Sequence, residues 1–204
     1  MGAFETETQG TFENATQSFW GGMFTVASFL TNTGFQSGFW ADASAWSTLE
    51  TPGFILLGLA MIGGGVATTA GGVKLLRVLV LYQHGQRELE RLVHPSSVGG
   101  AAGVDRSGRR NASFMAWIFF MLFAISIAAV MLALSFLGIG FEPAVILTVS
   151  ALSTTGPLAN IAGEFPIFYT SLPDGAKIVL IFTIVLGRLE TLALIALFNP
   201  EFWR

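Results

Sequence analysis

The apolar positions of the chain fall into separate runs whose lengths predict different elements. Residues 19–30 are apolar and helix-compatible. They cover only about half of the ~20 residues a bilayer crossing needs, so they predict a re-entrant segment rather than a span. Residues 52–62 begin a membrane helix, with Pro52 in a tolerated first-turn position, and the apolar pattern resumes over residues 73–82. Residues 112–137 are long and apolar enough to span, residues 142–152 form a second short run with Pro143 near its start, and residues 174–198 form the last span. Together these runs predict an all-α polytopic membrane protein built from helix, re-entrant loop and helix.

Both short runs end alike. Residues 30–35 read Leu-Thr-Asn-Thr-Gly-Phe and residues 152–157 read Leu-Ser-Thr-Thr-Gly-Pro. Aligning Gly34 with Gly156 also superposes Ser28 on Ser150, Leu30 on Leu152 and Thr33 on Thr155, so one supersecondary unit is used twice. A short helix that stops in an apolar environment leaves its last carbonyls unpaired, and these carry the negative end of the helix dipole. Glycine at 34 and 156 lets the backbone take positive φ, so that successive carbonyls turn toward one axis. Such carbonyls replace the hydration shell of a permeating ion. Alternatively, Thr-Gly simply caps a helix carboxy-terminus, a common arrangement.

Between the two copies, residues 63–72 hold five glycines in ten positions, Gly63, Gly64, Gly65, Gly71 and Gly72, together with Thr68 and Thr69. Glycine costs about 1 kcal/mol against alanine inside a helix, so this density predicts an unwound break at membrane depth. Such backbone is tolerated where it lines a watery cavity or is buried in protein. Close helix packing through small residues is the competing explanation, but packing asks for spaced glycines rather than clustered ones.

Composition agrees with a membrane setting: charged residues make up 11% of the chain, apolar residues 52%, and the mean hydropathy is +0.66. A net charge of −3 gives no case for nucleic-acid binding, and the absence of cysteine removes thiol nucleophiles and thiolate metal sites. Residues 1–17 are polar and acidic without a basic start or an apolar core, unlike a signal peptide. Residues 83–111 form the basic loop, carrying Arg87, Arg91, Arg106, Arg109 and Arg110, with Lys74 and Arg77 just before it. Residues 1–17, 36–51 and 138–173 contain no lysine or arginine before Pro173, so the basic loop is expected to be cytoplasmic and both glycine stretches to face outward. His84 and His94 lie in that loop without converging partners for metal binding or hydrolysis, and the spans lack an acid, base and nucleophile set. No enzymatic activity is expected.

Arg188 is the charge least expected from composition. Fourteen residues into the last helix, it lies about 21 Å along it, where an arginine costs several kcal/mol unless it faces water or a partner. It is expected to contact the glycine-rich break or Thr68 and Thr69, or else to pair with Glu190.

In combination these residues resemble the carboxy-terminal part of the membrane subunit of Trk/Ktr-type potassium uptake systems, the TrkH-like branch of the superfamily that includes the HKT transporters. The resemblance rests on Thr31-Asn32-Thr33-Gly34-Phe35, the 63–72 glycine cluster followed by Val73-Lys74, Gln86-Arg87-Glu88-Leu89 with His94-Pro95, Gly156-Pro157, and Gly187-Arg188-Leu189-Glu190 ahead of Phe202-Trp203-Arg204. It implies a pore of four linked repeats with one filter glycine each. Residues 1–82 would be the third repeat without its first helix, 83–111 a cytoplasmic linker and 112–204 the fourth repeat.

By the same resemblance, Thr31, Asn32, Thr33, Gly34 and Phe35, with Ser153, Thr154, Thr155 and Gly156, would form the potassium filter, the ion sitting at Thr33, Gly34, Thr155 and Gly156. The glycine cluster would be the intramembrane gate loop and Arg188 the pore-facing arginine. Potassium is cargo and no resident cofactor is implied. The implied partners are the missing amino-terminal repeats, a cytoplasmic nucleotide-binding RCK subunit and a second copy in a homodimer, in the bacterial inner membrane. Ser153-Thr154-Thr155 departs from the asparagine- and valine-containing form common among relatives, which leaves potassium against sodium open. Two filter strands cannot ring an ion, so the chain is expected to be a fragment of a longer protein. A half that assembles with a separate chain, or a non-conducting scaffold, are the other readings.

Overall fold

The computed structural model describes residues 2–45, 51–65, 70–93 and 106–189, and among them every regular element is helical. Helix α1 spans Gly2–Leu30, α2 Trp40–Ala45, α3 Gly53–Ile62, α4 Leu75–Val93, α5 Arg106–Phe136, α6 Phe141–Leu152, α7 Leu158–Ile161 and α8 Asp174–Leu189, with a 3-10 turn at Tyr169–Ser171.

The centre is α6. It packs against α3, α5, α7 and α8, and every residue from Ile146 to Leu152 is buried. Around it Phe29, Leu56, Ala60, Leu134, Leu158 and Leu180 complete one core that draws on both halves of the chain. Helix α1 packs on α2 and α3, and α4 on α5.

Two boundaries differ from the sequence expectation, at the start of α1 and across the basic segment. The short apolar run before Gly34 is the carboxy-terminal part of a 29-residue helix. Residues 2–18 are polar but contain no proline, so nothing stops the helix from continuing through them. Helix α6, by contrast, has the short length expected of residues 142–152, at 12 residues, because Gly138 (φ +84°) and Gly140 turn the chain immediately before it. The basic segment is largely not a loop: α4 runs on to Val93 and α5 begins at Arg106, while residues 94–105 lie outside the described residues.

Among the described residues one stretch, Phe114–Phe136, is long and apolar enough to cross a membrane. Its 23 residues extend about 34 Å, against a hydrocarbon core of about 30 Å. Phe114, Trp117, Ile125, Leu132 and Phe136 on it are exposed, as are Ile178, Phe182 and Val185 on α8. The last predicted span is described only as far as Leu189.

Candidate functional site

The two helix ends make the same main-chain bonds. Thr31 N–H donates to Ala27 O at 2.9 Å, Asn32 N–H to Phe29 O at 3.2 Å and Thr33 N–H to Ser28 O at 2.9 Å. One repeat later Ser153 N–H donates to Val149 O at 2.8 Å, Thr154 N–H to Ala151 O at 3.1 Å and Thr155 N–H to Ser150 O at 2.9 Å. This is the Schellman arrangement, in which one left-handed residue lets the chain fold back over the last turn. That residue is Asn32 (φ +57°) in the first copy and Thr154 (φ +59°) in the second. Both helix ends are therefore capped, by the left-handed residue two positions before each glycine and not by the Thr-Gly pair itself.

Beyond the cap the copies diverge. Gly34 does take positive φ, at +77°, whereas Gly156 is not among the positive-φ glycines. A Cβ on Gly34 would lie 3.1 Å from Thr155 Cγ2 and 3.3 Å from Pro157 Cδ, while one on Gly156 would meet nothing within 4 Å. The two stretches thus touch each other at Gly34, and the positive φ expected at Gly156 is not found there: the second copy has the counterpart of Asn32, at Thr154, but none of Gly34. In the first copy Ser28 Oγ accepts from Phe35 N–H at 2.7 Å and lies 3.0 Å from Thr33 Oγ1, which itself donates to Ser28 O at 3.0 Å. Among the described residues the Thr33 and Gly34 carbonyls accept no hydrogen bond. In the second copy they do. Thr155 O accepts from Leu158 N–H at 3.1 Å and Ser150 Oγ at 2.9 Å; Gly156 O accepts from Ala159 N–H at 3.2 Å and Tyr169 Oη at 3.1 Å.

Tyr169 carries no signal that the sequence reading used. Its hydroxyl also lies 3.0 Å from Ser150 Oγ, bracing the second stretch from the loop that follows it. Burial raises the Tyr169 pKa above its ordinary value, and the hydrogen bond with Ser150 partly opposes that shift.

The glycine-rich break lies where the pattern predicts it, between Ile62 and Leu75. Gly64 (φ +91°), Gly72 (φ +90°) and Lys74 (φ +66°) turn the chain back onto the end of α3. Val73 N–H donates to Met61 O at 3.1 Å and Leu75 N–H to Gly64 O at 3.2 Å. Both helix ends rest on this segment. Gly64 N–H donates to Leu30 O at 3.1 Å, and a Cβ at Gly63 would overlap that same carbonyl. A Cβ at Gly71, or at Gly187 of α8, would overlap the matching carbonyl of Leu152. Asn32 Nδ2 donates to Gly71 O at 2.9 Å and to Ser153 O at 3.2 Å, joining the first stretch to the break and to the second stretch. Gly65 is half-buried beside them; Thr68 and Thr69 lie outside the described residues.

Arg188 is exposed one residue before the described end of α8, and Glu190 lies outside the described residues. Its neighbour Gly187 lines a cavity of roughly 20 Å³ with Gly72, Arg77, Phe119 and Leu152, room for about one water. The Arg77 guanidinium carbon sits 3.6 Å from the Phe119 ring centroid, a cation–π contact that ties α4 to α5. The sequence pattern had assigned Arg77 only a topological role.

The fold and these helix ends have counterparts in known proteins. A family model described as TrkH, cation transport protein, matches residues 11–204. The chain is 37% identical over 182 residues to the Trk system potassium uptake protein TrkH of Escherichia coli K12, a match covering 89% of this chain and 36% of that protein. It is 31% identical over 193 residues to the E. coli K12 Trk system potassium uptake protein TrkG, covering 92% of this chain and 37% of that one. The crystal structure of the potassium transporter TrkH from Vibrio parahaemolyticus superposes with a TM-score of 0.69 at 34% identity, over 87% of this chain and 36% of the other. The chain therefore spans a little over a third of the length of these relatives, and it shares their all-α, polytopic, pore-loop membrane architecture. Because the match takes in both helix ends and the break between them rather than a single motif, the chain belongs to the TrkH family of cation transport proteins.

Proposed function

We propose that this chain supplies half of a potassium-uptake pore. The observation that carries the reading is the meeting of two helix ends built from the same bonds, with Gly34 against Thr155 and Pro157 and the broken helix packed against both. Residues 31–35 and 153–156 form two of four filter strands, and the ion passes the carbonyls of Thr33, Gly34, Thr155 and Gly156. Among the described residues the first pair of carbonyls accepts no hydrogen bond, whereas the second enters the filter already hydrogen-bonded and so as weaker ligands. Both helices point their negative dipole ends at this place, which favours a cation.

The segment containing Gly63, Gly64, Gly65, Thr68, Thr69, Gly71 and Gly72 acts as the gate beneath the filter, and Arg188 sets an electrostatic barrier beside it. Residues 1–82 and 112–204 are the third and fourth repeats, joined through a cytoplasmic linker at 83–111 that is helical at both ends. The remaining repeats complete the ring, a nucleotide-binding RCK subunit moves the gate from the cytoplasm, and the assembled protein is a homodimer in the inner membrane. Uptake runs down the electrochemical gradient, which supplies about 2.3 kcal/mol per charge per 100 mV. No catalytic step and no resident cofactor is assigned.

The test is radioactive rubidium uptake in potassium-uptake-deficient cells, comparing this chain alone with the chain joined to the amino-terminal portion that its relatives carry. Rescue by the joined form alone supports the half-pore. Rescue by neither, despite normal membrane expression, overturns it in favour of a non-conducting scaffold.

A further inference from the structure

We propose that Asn32 is a positioning residue that holds the broken helix against both helix ends. Its backbone role and its side-chain role are separable. The backbone supplies the left-handed turn after α1, a task that Thr154 performs equally well in the second copy. The side chain differs in reach: Thr154 Oγ1 accepts from Gly71 N–H at 3.4 Å and donates to Ser153 O at 2.7 Å within its own stretch, whereas Asn32 crosses from the first stretch to both. One amide nitrogen donates both to Gly71 O, 39 residues away, and to Ser153 O, 121 residues away. A reversed amide would aim Oδ1 at two carbonyl oxygens, so the donor orientation is fixed by its surroundings.

The other side of the amide strengthens the assignment. Asn32 Oδ1 is buried without a hydrogen-bond partner. Burying an acceptor unpaired is unfavourable, and such groups in native proteins ask for a reason. Here the two donor bonds provide one. Gly63 makes the room, since a Cβ there would lie 2.7 Å from Oδ1. The amide thus sits between the two lips of the break, Gly63 on one side and the Gly71 carbonyl on the other, while also holding the second stretch at Ser153. The break also meets each stretch separately, through Gly64 N–H to Leu30 O and Gly71 N–H to Thr154 Oγ1, but the Asn32 amide is the group that joins it to both stretches at once. Its consequence for conduction rests on the half-pore reading above; its structural part does not.

The chain contains no cysteine, so a single reporter is clean. Ala70, half-buried and next to Gly71, is replaced by cysteine in the chain joined to a cysteine-free amino-terminal portion. Its rate of modification by a water-soluble methanethiosulfonate is then measured with Asn32, Asn32→Gly and Asn32→Asp. Glycine keeps the left-handed turn without the amide; aspartate keeps the shape, without the donor. Both substitutions are expected to raise the rate about tenfold, the size of one ordinary hydrogen bond. An unchanged rate in both overturns the proposal, as does a rise with glycine alone, which would trace the effect to backbone freedom. Rubidium uptake by the same proteins separates the two readings. If both substitutions raise the labelling rate and the Asn32 protein carries no rubidium, the positioning role stands and the pore reading fails.

Discussion

The Thr155 methyl group occupies the space where a side chain on Gly34 would have to go, 3.1 Å from a Cβ built there. Gly34 also has φ +77°, so an alanine meets both backbone strain and a neighbour. Gly34→Ala is expected to cost about 1–2 kcal/mol from the left-handed backbone alone. Gly156→Ala has neither obstacle and is expected to leave the melting temperature in detergent within about one degree of the parent, a small shift for a surface-like change. Equal losses for the two would refute this asymmetry.

Ser28 and Ser150 occupy the same place in the two copies but do different work. Ser28 Oγ is the acceptor for the Phe35 N–H, whereas Ser150 Oγ donates to carbonyls that have other donors. Ser28→Ala leaves a part-buried N–H unpaired, with an expected loss of about 1–3 kcal/mol. Ser150→Ala is expected to lose less than half of that. Chemical denaturation of both variants gives the order, and a greater loss at Ser150 would contradict it.

Burial holds the Tyr169 pKa above its unfolded value, so the folded protein retains that proton when the unfolded chain has released it. Stability from this source is present below the ordinary tyrosine pKa of about 10 and is lost as pH rises beyond it. Tyr169→Phe removes the hydrogen bond to Gly156 O, so it is expected to be less stable near neutrality and to lack this alkaline component. The melting temperatures of parent and variant should converge between roughly pH 9 and pH 11; parallel profiles would exclude the assignment.

A Cβ at Gly187 would overlap the Leu152 carbonyl oxygen, which belongs to the backbone and cannot rotate away. Gly187→Ala is expected to destabilise by about 1–3 kcal/mol through overpacking. Gly85, also helical, has open space around it, and Gly85→Ala is expected to stabilise by up to about 1 kcal/mol. A neutral result at Gly187 would mean that α8 does not approach α6 as closely as described.

If Arg188 forms a barrier beside the gate, Arg188→Ala in the complete transporter raises rubidium flux without changing the half-saturating concentration. Patch recordings showing unchanged conductance would remove Arg188 from the pathway.

What the sequence disclosed followed from local chemistry. The break was visible because five glycines in ten residues make a continuous helix unfavourable, and the repeated helix ends because four of the eight positions from 27 to 34 recur at 149 to 156. The length of α1 was not visible from apolarity, since a run of polar residues without a helix breaker looks like a loop to any hydropathy argument. The positive φ expected at Gly156 is absent, although its counterpart Gly34 has it. The least legible parts were the long-range polar contacts. Tyr169 reaches back to Gly156 across an irregular loop, and Asn32 reaches residues 39 and 121 positions away, distances at which no periodic pattern operates.

The matched bonds at the two helix ends are all between main-chain atoms. A duplicated unit recorded in the backbone is free to drift in its side chains. Serine can become threonine, or asparagine a threonine, while the turn persists, as residues 31–32 and 153–154 illustrate. Asn32 reaches Ser153 O in the other copy whereas Thr154 bonds Ser153 O within its own, and Ser150 meets a tyrosine that Ser28 lacks, so the copies are not interchangeable. Exchanging residues 30–35 for 152–157 is expected to preserve the turn and lose the long-range contacts, because the two copies share a shape and not a chemistry.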